Sequence, residues 1–306
     1  MKPAPFEYLA PRSLPEALHA LRDADGDTKL LAGGQSLVPL LNFRLARPKR
    51  LVDLNRIAEL NFVEPRDGGL AIGAMARDAA LERDARVATL YPLLAEALGW
   101  VGHPAIRSRG TLGGSLAHAD PAAELPAVAI CLDARLTIDG PRGRRYVDAD
   151  DFFLGYLTTV VGPDEILTET WLPPRAAGAG HAWVEFARRH GDFALVGVAV
   201  ALTLDDSQVS KARIVLAGVA GRPFRAREAE TLLVGSSVEE RVEAAAEAIG
   251  GAIEPDADIH ASREYRTHLA VVLAERAIRQ AHQRALAAAP AALDVRRALQ
   301  QFERYA

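Results

Sequence analysis

The sequence is poor in what metal-cluster and nucleic-acid chemistry need. A single cysteine in 306 residues cannot supply the thiolate set of an iron–sulfur cluster or of a common structural zinc site. Cys131 lies in the apolar run AVAICLDA and is expected to be a buried, unreactive thiol. Lysine and arginine (36) fall short of aspartate and glutamate (40), for a formal charge of −4 without a long basic run, which argues against a polyanionic partner. The longest strongly apolar stretches, at 194–204 and 126–132, fall well below the roughly 20 residues that span a bilayer. The opening MKPAPFEYLAPRSLPEAL has no basic segment leading into an apolar core, so no secretory signal is expected and a soluble, cytoplasmic protein is the prediction. Also missing are GxGxxG after a strand, GxxxxGK[ST], HExxH and a serine nucleophile elbow. No catalytic residue and no metal ligand set is therefore assigned.

What remains is a globular composition, 49% hydrophobic and 25% charged, with length for two domains. Ser13 followed by Glu16 is a capping-box pattern, and Ala17, Leu18 and Leu21 continue an apolar stripe, predicting a helix over 14–22. Short strands follow at 29–32 and 51–54. From Gly69, LAIGAMA alternates like a half-buried strand and DAALERDARVATLYPLLAEALGWV has helical spacing. A glycine turn, a proline-bounded helix, a strand and the strand ILTETWLP complete an α+β domain of about 175 residues. The prolines and small residues of LPPRAAGAGHAW predict a linker near 173–181. Beyond it, ALVGVAVALTLDD and KARIVLAGVAG read as a hairpin turning at 205–208, and two helical patterns follow. In the last, Tyr265, Leu269, Val272, Leu273 and Arg276 form the predicted packing stripe.

Two loops carry the chemistry. LLAGGQSLVP and RGTLGGSLAHADP each hold a glycine pair followed closely by small polar residues. Glycine removes Cβ and permits positive φ, so consecutive backbone N–H groups can converge on an anion. Gln35, Ser36, Thr111 and Ser115 add side-chain donors, and together the loops predict a two-sided pyrophosphate cradle. Other polar residues read more plainly. His118 and Asp120 are too few for a metal site, and His103 reads as a surface or turn histidine or as a contact to whatever the second loop binds. Arg107 and Arg109 flank the second loop, facing either a phosphate or a partner subunit. Arg188, Arg189 and His190 are either a solvated strand end or a contact surface, and Trp100, Trp171 and Trp183 are scattered core residues.

The segments AGGQSLVPLLNFRLARPKRLVDLN, VGHPAIRSRGTLGGSLAHADPAAELPA and RRHGDFALVGVAVAL occur in order across nearly the whole chain. With them the chain resembles the FAD-binding flavoprotein (medium) subunit of the molybdenum hydroxylases, the carbon monoxide dehydrogenase and xanthine dehydrogenase family. The resemblance implies an α+β fold: a vanillyl-alcohol-oxidase-like FAD-binding domain over 1–175, with α/β subdomains of about 1–57 and 58–175. A smaller C-terminal domain of antiparallel sheet plus helices would follow over 176–286, then an alanine-rich tail over 287–306. It implies FAD as the chain's only cofactor, with molybdopterin in a large partner subunit and iron–sulfur clusters in a small one. The chain would pass electrons from the clusters to an external acceptor within a heterotrimer.

Placed on this sequence, the resemblance implies that Ala32, Gly33, Gly34, Gln35, Ser36 and Leu37 wrap the pyrophosphate from one side. Thr111, Gly113, Gly114 and Ser115 would close from the other. Asp120 and Glu124 would make acidic contacts to the nucleotide half, Leu167 would touch the adenine or flavin end, and Phe193 would lie beside the isoalloxazine. Val184 stands where some xanthine dehydrogenase-like relatives carry a cofactor-contacting lysine, and the lone Cys131 excludes the Cys-rich insertion of another branch. Two other readings stay open: a self-sufficient flavin oxidase or reductase of the same superfamily, and a non-redox nucleotide-binding scaffold.

Overall fold

The computed structural model describes residues 2–22 and 27–288, so of the expected tail only 287 and 288 are described and the rest lies outside. The first unit contains β1 (Glu7–Leu9), α1 (Leu14–Arg22), β2 (Thr28–Leu31), α2 (Leu37–Asn42) and β3 (Arg50–Asp53), with the strands parallel in the order β1-β3-β2. Helix α1 starts where the sequence pattern predicts. Ser13 Oγ accepts the Glu16 N–H at 3.4 Å, but the Glu16 carboxylate reaches back to the Arg12 N–H at 2.8 Å, one residue before the usual partner.

The second unit runs through β4 (Val63–Arg66), β5 (Gly69–Gly73), α3 (Asp78–Arg83), α4 (Ala85–Leu90), α5 (Pro92–Leu98) and α6 (Pro104–Arg107). It continues with α7 (Leu112–His118), α8 (Glu124–Cys131), β6 (Arg135–Gly140), β7 (Gly143–Asp148), α9 (Ala149–Phe152), β8 (Phe153–Gly155), β9 (Thr158–Thr159) and β10 (Ile166–Leu172). Its main sheet is antiparallel, in the order β4-β5-β10-β6-β7. Two expectations change here. The single helical stretch is cut into three helices, because Asp84 caps α4 through the Arg86 and Val87 N–H groups and Pro92 starts α5. Strand β5 does not alternate between buried and exposed: all five residues are buried, since it is an interior strand.

The third unit comprises β11 (Gly180–Phe186), β12 (Val196–Asp205), β13 (Gln208–Ala217), β14 (Phe224–Arg225), α10 (Arg227–Leu233), α11 (Val238–Ala252) and α12 (Arg263–Ala288). Its four strands are antiparallel in chain order, and the β12–β13 hairpin turns where expected. This sheet is covered on both faces, which accounts for the unbroken apolar run of β12. Val196, Val198, Val200 and Leu202 pack with α11 and α12. Trp183, Ala199, Val215 and Ala217 instead join the core of the second unit. The alanines on that side let α8 lie close to the sheet, and α8 is buried along its whole length, as an apolar-all-round helix must be.

Cys131 ends α8 with 2% exposure, and burial pushes its thiol above the ordinary range. Thiol reagents are expected to label the chain only after denaturation, which a native-versus-unfolded thiol titration checks.

On α12 the predicted stripe is shifted. Leu269 and Leu273 are buried, but Tyr265 and Arg276 are exposed and the packed face runs through Arg266, Ala270, Ala274, Ala277 and Ile278. Of the tryptophans only Trp183 is core: Trp100 is half-buried and stacks on His190 at 5.0 Å, and Trp171 is half-buried under Arg135.

Buried Arg266 ties together three segments of the third unit, one of which contacts the second unit. Its guanidinium donates to Leu195 O (2.6 Å), Gly218 O (3.3 Å) and Asp258 Oδ2 (2.7 Å). Gly218 N–H in turn donates to Pro121 O at 2.8 Å, across to the second unit. Arg266→Met is expected to cost about 2–3 kcal/mol, measured by urea unfolding, because it leaves buried carbonyls without donors.

Candidate functional site

The two glycine loops meet. The first leaves β2 at Leu31 and enters α2 at Leu37. A Cβ on Gly33 would lie 2.4 Å from Arg109 O and 2.9 Å from Gly110 Cα, so the backbones of the two loops touch at a position only glycine fits. Gly34 supplies the turn, with φ +76°, and the Gln35 amide donates to Gly33 O at 2.9 Å. The first helical hydrogen bonds run from Val38 N–H to Gly34 O and from Leu40 N–H to Ser36 O, so the Gln35, Ser36 and Leu37 N–H groups precede the ladder.

The second loop is not the turn that its glycines suggested. Gly113 and Gly114 form the first turn of α7, with Thr111 as N-cap accepting the Gly114 N–H at 3.1 Å. Neither residue has positive φ; close approach explains them instead. A Cβ on Gly113 would meet Ala74 Cβ at 2.4 Å, and one on Gly114 would meet Thr111 Oγ1 at 2.6 Å and Ala32 Cβ at 3.3 Å. Ala32 through Leu37 and Thr111 through Ser115 are therefore brought side by side: the first loop offers N–H groups that precede its helical ladder, while the Gly113, Gly114 and Ser115 N–H groups are bonded to Ala74 O, Thr111 Oγ1 and Thr111 O. The first loop's N–H groups and the Thr111 and Ser115 hydroxyls suit a pyrophosphate, and the residues fit FAD.

Helix α7 ends on Ala119 in the left-handed conformation, and Asp120 Oδ1 then accepts the Ala122 N–H at 2.9 Å before α8 begins at Glu124. Glu124 is buried, and burial pushes its carboxyl up to about 7, with Asp78 and Asp120 adding to the shift. Asp78, also pushed up to about 7 by burial, lies under the second loop: its N–H donates to Gly110 O, and its Oδ1 has no hydrogen-bond partner among the described residues.

Leu167 is buried in β10 within the sheet core. It adjoins the cleft through its neighbour Thr168, whose carbonyl takes the Ala74 N–H. Phe193 is 58% exposed between β11 and β12, and shares a cavity of about 550 Å³ with Pro121, Ala122, Gly191, Arg188 and Arg266. His103 lies against Gly191, and Val184 is half-buried in β11. Arg107 is free for neither a phosphate nor a partner: it is buried in a two-bond pair with Glu82 (2.9 and 3.1 Å) and donates to Val101 O. Arg109 is exposed, and its carbonyl accepts Arg77.

Arg77 and Asn55 are the residues that sequence reasoning missed. Asn55 Nδ2 holds Ala32 O at 2.9 Å, its Oδ1 accepts Arg77, and Arg77 reaches Arg109 O, so one chain of side chains spans both loops. Asn55 closes the segment AGGQSLVPLLNFRLARPKRLVDLN with no role assigned to it, and Arg77 lies in none of the three segments.

The comparisons with known proteins agree with this geometry. Residues 4–175 match the FAD binding domain in molybdopterin dehydrogenase, and residues 181–281 match the CO dehydrogenase flavoprotein C-terminal domain. The chain belongs to this flavoprotein family. The flavoprotein is 41% identical to the 6-hydroxypseudooxynicotine dehydrogenase complex subunit alpha of Paenarthrobacter nicotinovorans, over 93% of this chain and 97% of that one. Its fold superposes on a carbon monoxide dehydrogenase of Hydrogenophaga pseudoflava that lacks the Mo-pyranopterin moiety, with TM-score 0.91 and 40% identity, covering 93% of this chain and 99% of that one. Quinoline 2-oxidoreductase from Pseudomonas putida 86 gives TM-score 0.89 and 41% identity with the same coverage. The flavoprotein is thus an oxidoreductase component, the medium FAD subunit of a multi-subunit molybdenum hydroxylase. Among the described residues no helix is long and apolar enough to cross a membrane.

Proposed function

We propose that this subunit relays electrons from the iron–sulfur clusters of a small partner subunit to an external acceptor, in a cytoplasmic heterotrimer with a large molybdopterin subunit. The observation that carries the reading is the backbone contact of Gly33 with Arg109 and Gly110, which makes two separate loops into one cradle. FAD, when bound, supplies the ability to take electrons singly and release them singly or in pairs. The chain's own residues bind and orient it. N–H groups of Gly34–Leu37 would hold the pyrophosphate from one side and the Thr111 and Ser115 hydroxyls from the other, with Gly113 and Gly114 giving the close approach of the helix start. Asp120 and Glu124 accept from the nucleotide half, Leu167 backs the cleft, and Phe193 covers the flavin ring. The lone, buried Cys131 leaves the chain no cluster of its own, so the one-electron donor must be another subunit.

The test compares assembled complexes containing the wild-type chain or a flavin-free variant. Both are reduced with dithionite, desalted and mixed with dye, quinone or NAD⁺ acceptors. Reoxidation of the iron–sulfur absorbance is expected to be fast with FAD and slow without it. Equal rates would rule out the relay.

A further inference from the structure

Backbone N–H groups and hydroxyls bring only partial charges to a diphosphate, whose own charge is a full negative one on each phosphate. The seam between the two loops holds the cations that could match it. Arg77 donates to Arg109 O, the atom against which Gly33 packs, and to Asn55 Oδ1, while Asn55 Nδ2 donates to Ala32 O at 2.9 Å. Asn55 is fixed from behind in its turn. Asp53, 8% exposed, accepts the Asn55 backbone N–H at 2.9 Å, the Asn55 side-chain amide and the Tyr8 hydroxyl. The Arg77 head group is thus set in place before a ligand arrives, which lowers the ordering cost of binding. It also lies between the two donor sets, since the Arg77 backbone pairs with Thr111 and Gly33 stands two residues before Gln35.

The charge balance at this seam is incomplete. Arg86, Arg107, Arg225 and Arg266, buried or half-buried like Arg77, each meet a carboxylate. Among the described residues Arg77 and Arg109 meet none within 4.0 Å. Burial, and after it the neighbouring Arg109 charge, push the Arg77 guanidinium below its ordinary range, with the more distant Asp78 and Asp53 acting the other way. Arginine stays charged even so, and two like charges therefore stand together with no anion between them. An anion seated there relieves the repulsion and finds N–H groups to spare, since the exposed Arg109 head group makes no hydrogen bond among the described residues.

We infer that Arg77 and Arg109 form the counter-charge site for the FAD diphosphate, with Asn55 and Asp53 as the residues that position Arg77. The inference rests on the reading of the two loops as the FAD cradle. In the test, FAD is titrated into the FAD-free full-length chain at about 50 mM and about 500 mM KCl, followed by flavin fluorescence. R77Q and R109Q are each expected to weaken binding by about tenfold at the lower salt and to flatten its salt dependence. R109Q leaves the Arg109 carbonyl and the hydrogen bonds between the loops in place, so it reads the charge alone. R109K, which keeps the charge, is expected to keep the salt dependence. R175Q removes another half-buried arginine, which donates to Ala179 O in the linker beyond β10, and is expected to change neither quantity. Inorganic pyrophosphate is expected to compete with FAD on the wild-type chain and to compete less well on R77Q and R109Q. Wild-type affinity in both glutamine variants would overturn the inference. Weaker binding with an unchanged salt dependence would overturn it too, by leaving Arg77 as a brace between the loops. A wild-type chain that binds no FAD would instead overturn the cradle reading on which the inference rests.

Discussion

Gly33→Val is expected to weaken FAD retention by at least on the order of 100-fold, about 2.7 kcal/mol, in a chain that still folds. The valine Cβ would be driven into Arg109 O and Gly110 Cα, both backbone atoms that no rotamer change can move aside. Relief comes only from separating the two loops. Most members of the hydrophobic clusters lie in the sheets and helices away from this contact, Leu112 and Ala32 being the loop residues that join them. Gly155→Ala is the matched control, since its added methyl meets nothing within 4 Å. Far-UV circular dichroism and flavin absorbance after gel filtration separate the outcomes. A Gly33→Val chain that keeps stoichiometric FAD would show that the contact is not part of the cofactor site.

The second large effect is a loss of stability with rising pH. Burial pushes the Asp78 and Glu124 carboxyls up to about 7 and the Glu185 carboxyl up to about 8, Glu185 being raised further by Glu124. A carboxyl whose folded value lies above its unfolded value near 4 favours the folded chain as the neutral acid. Its contribution is complete below about pH 4 and is lost as pH rises through 7 to 8. Each such group costs up to about 1.4 kcal/mol per pH unit over that interval. The melting temperature of the FAD-free chain is expected to fall from pH 5 to about pH 8 and to level off above it. Glu185→Gln keeps a neutral side chain beside the Trp183 indole N–H, which Glu185 accepts at 3.1 Å. Its curve is expected to be flatter between pH 6 and pH 9, by about 2 kcal/mol in total. Parallel curves for wild type and Glu185→Gln would mean that Glu185 is ionised throughout.

Much of the architecture was readable because local chemistry and tertiary packing agree there. The α1 boundaries follow from Ser13, Glu16 and the apolar stripe, and the β12–β13 hairpin from two β-rich runs about a polar turn. The unread parts are those where a distant segment decides. Strand β5 is fully buried because β4 and β10 flank it and both faces are covered, which its alternating residue types did not reveal. Gly113 and Gly114 look like a turn in isolation, yet the Thr111 cap and the approach to Ala74 make them the start of a helix. Arg266 stands outside the predicted stripe of α12, and is buried where the carbonyls of Leu195 and Gly218 take its donors. The glycine loops were legible as a pair, because glycine pairs next to small polar residues have few structural uses. Arg77 and Asn55 were not, because their role exists only once Ala32 and Arg109 are neighbours.

The most direct measurement is the FAD stoichiometry of the assembled complex, from the absorbance of flavin released on denaturation against the amount of this subunit. One FAD per copy of the chain, retained through gel filtration and lost in Gly33→Val, is the predicted result. A folded, fully assembled complex whose wild-type chain carries no flavin would contradict the account.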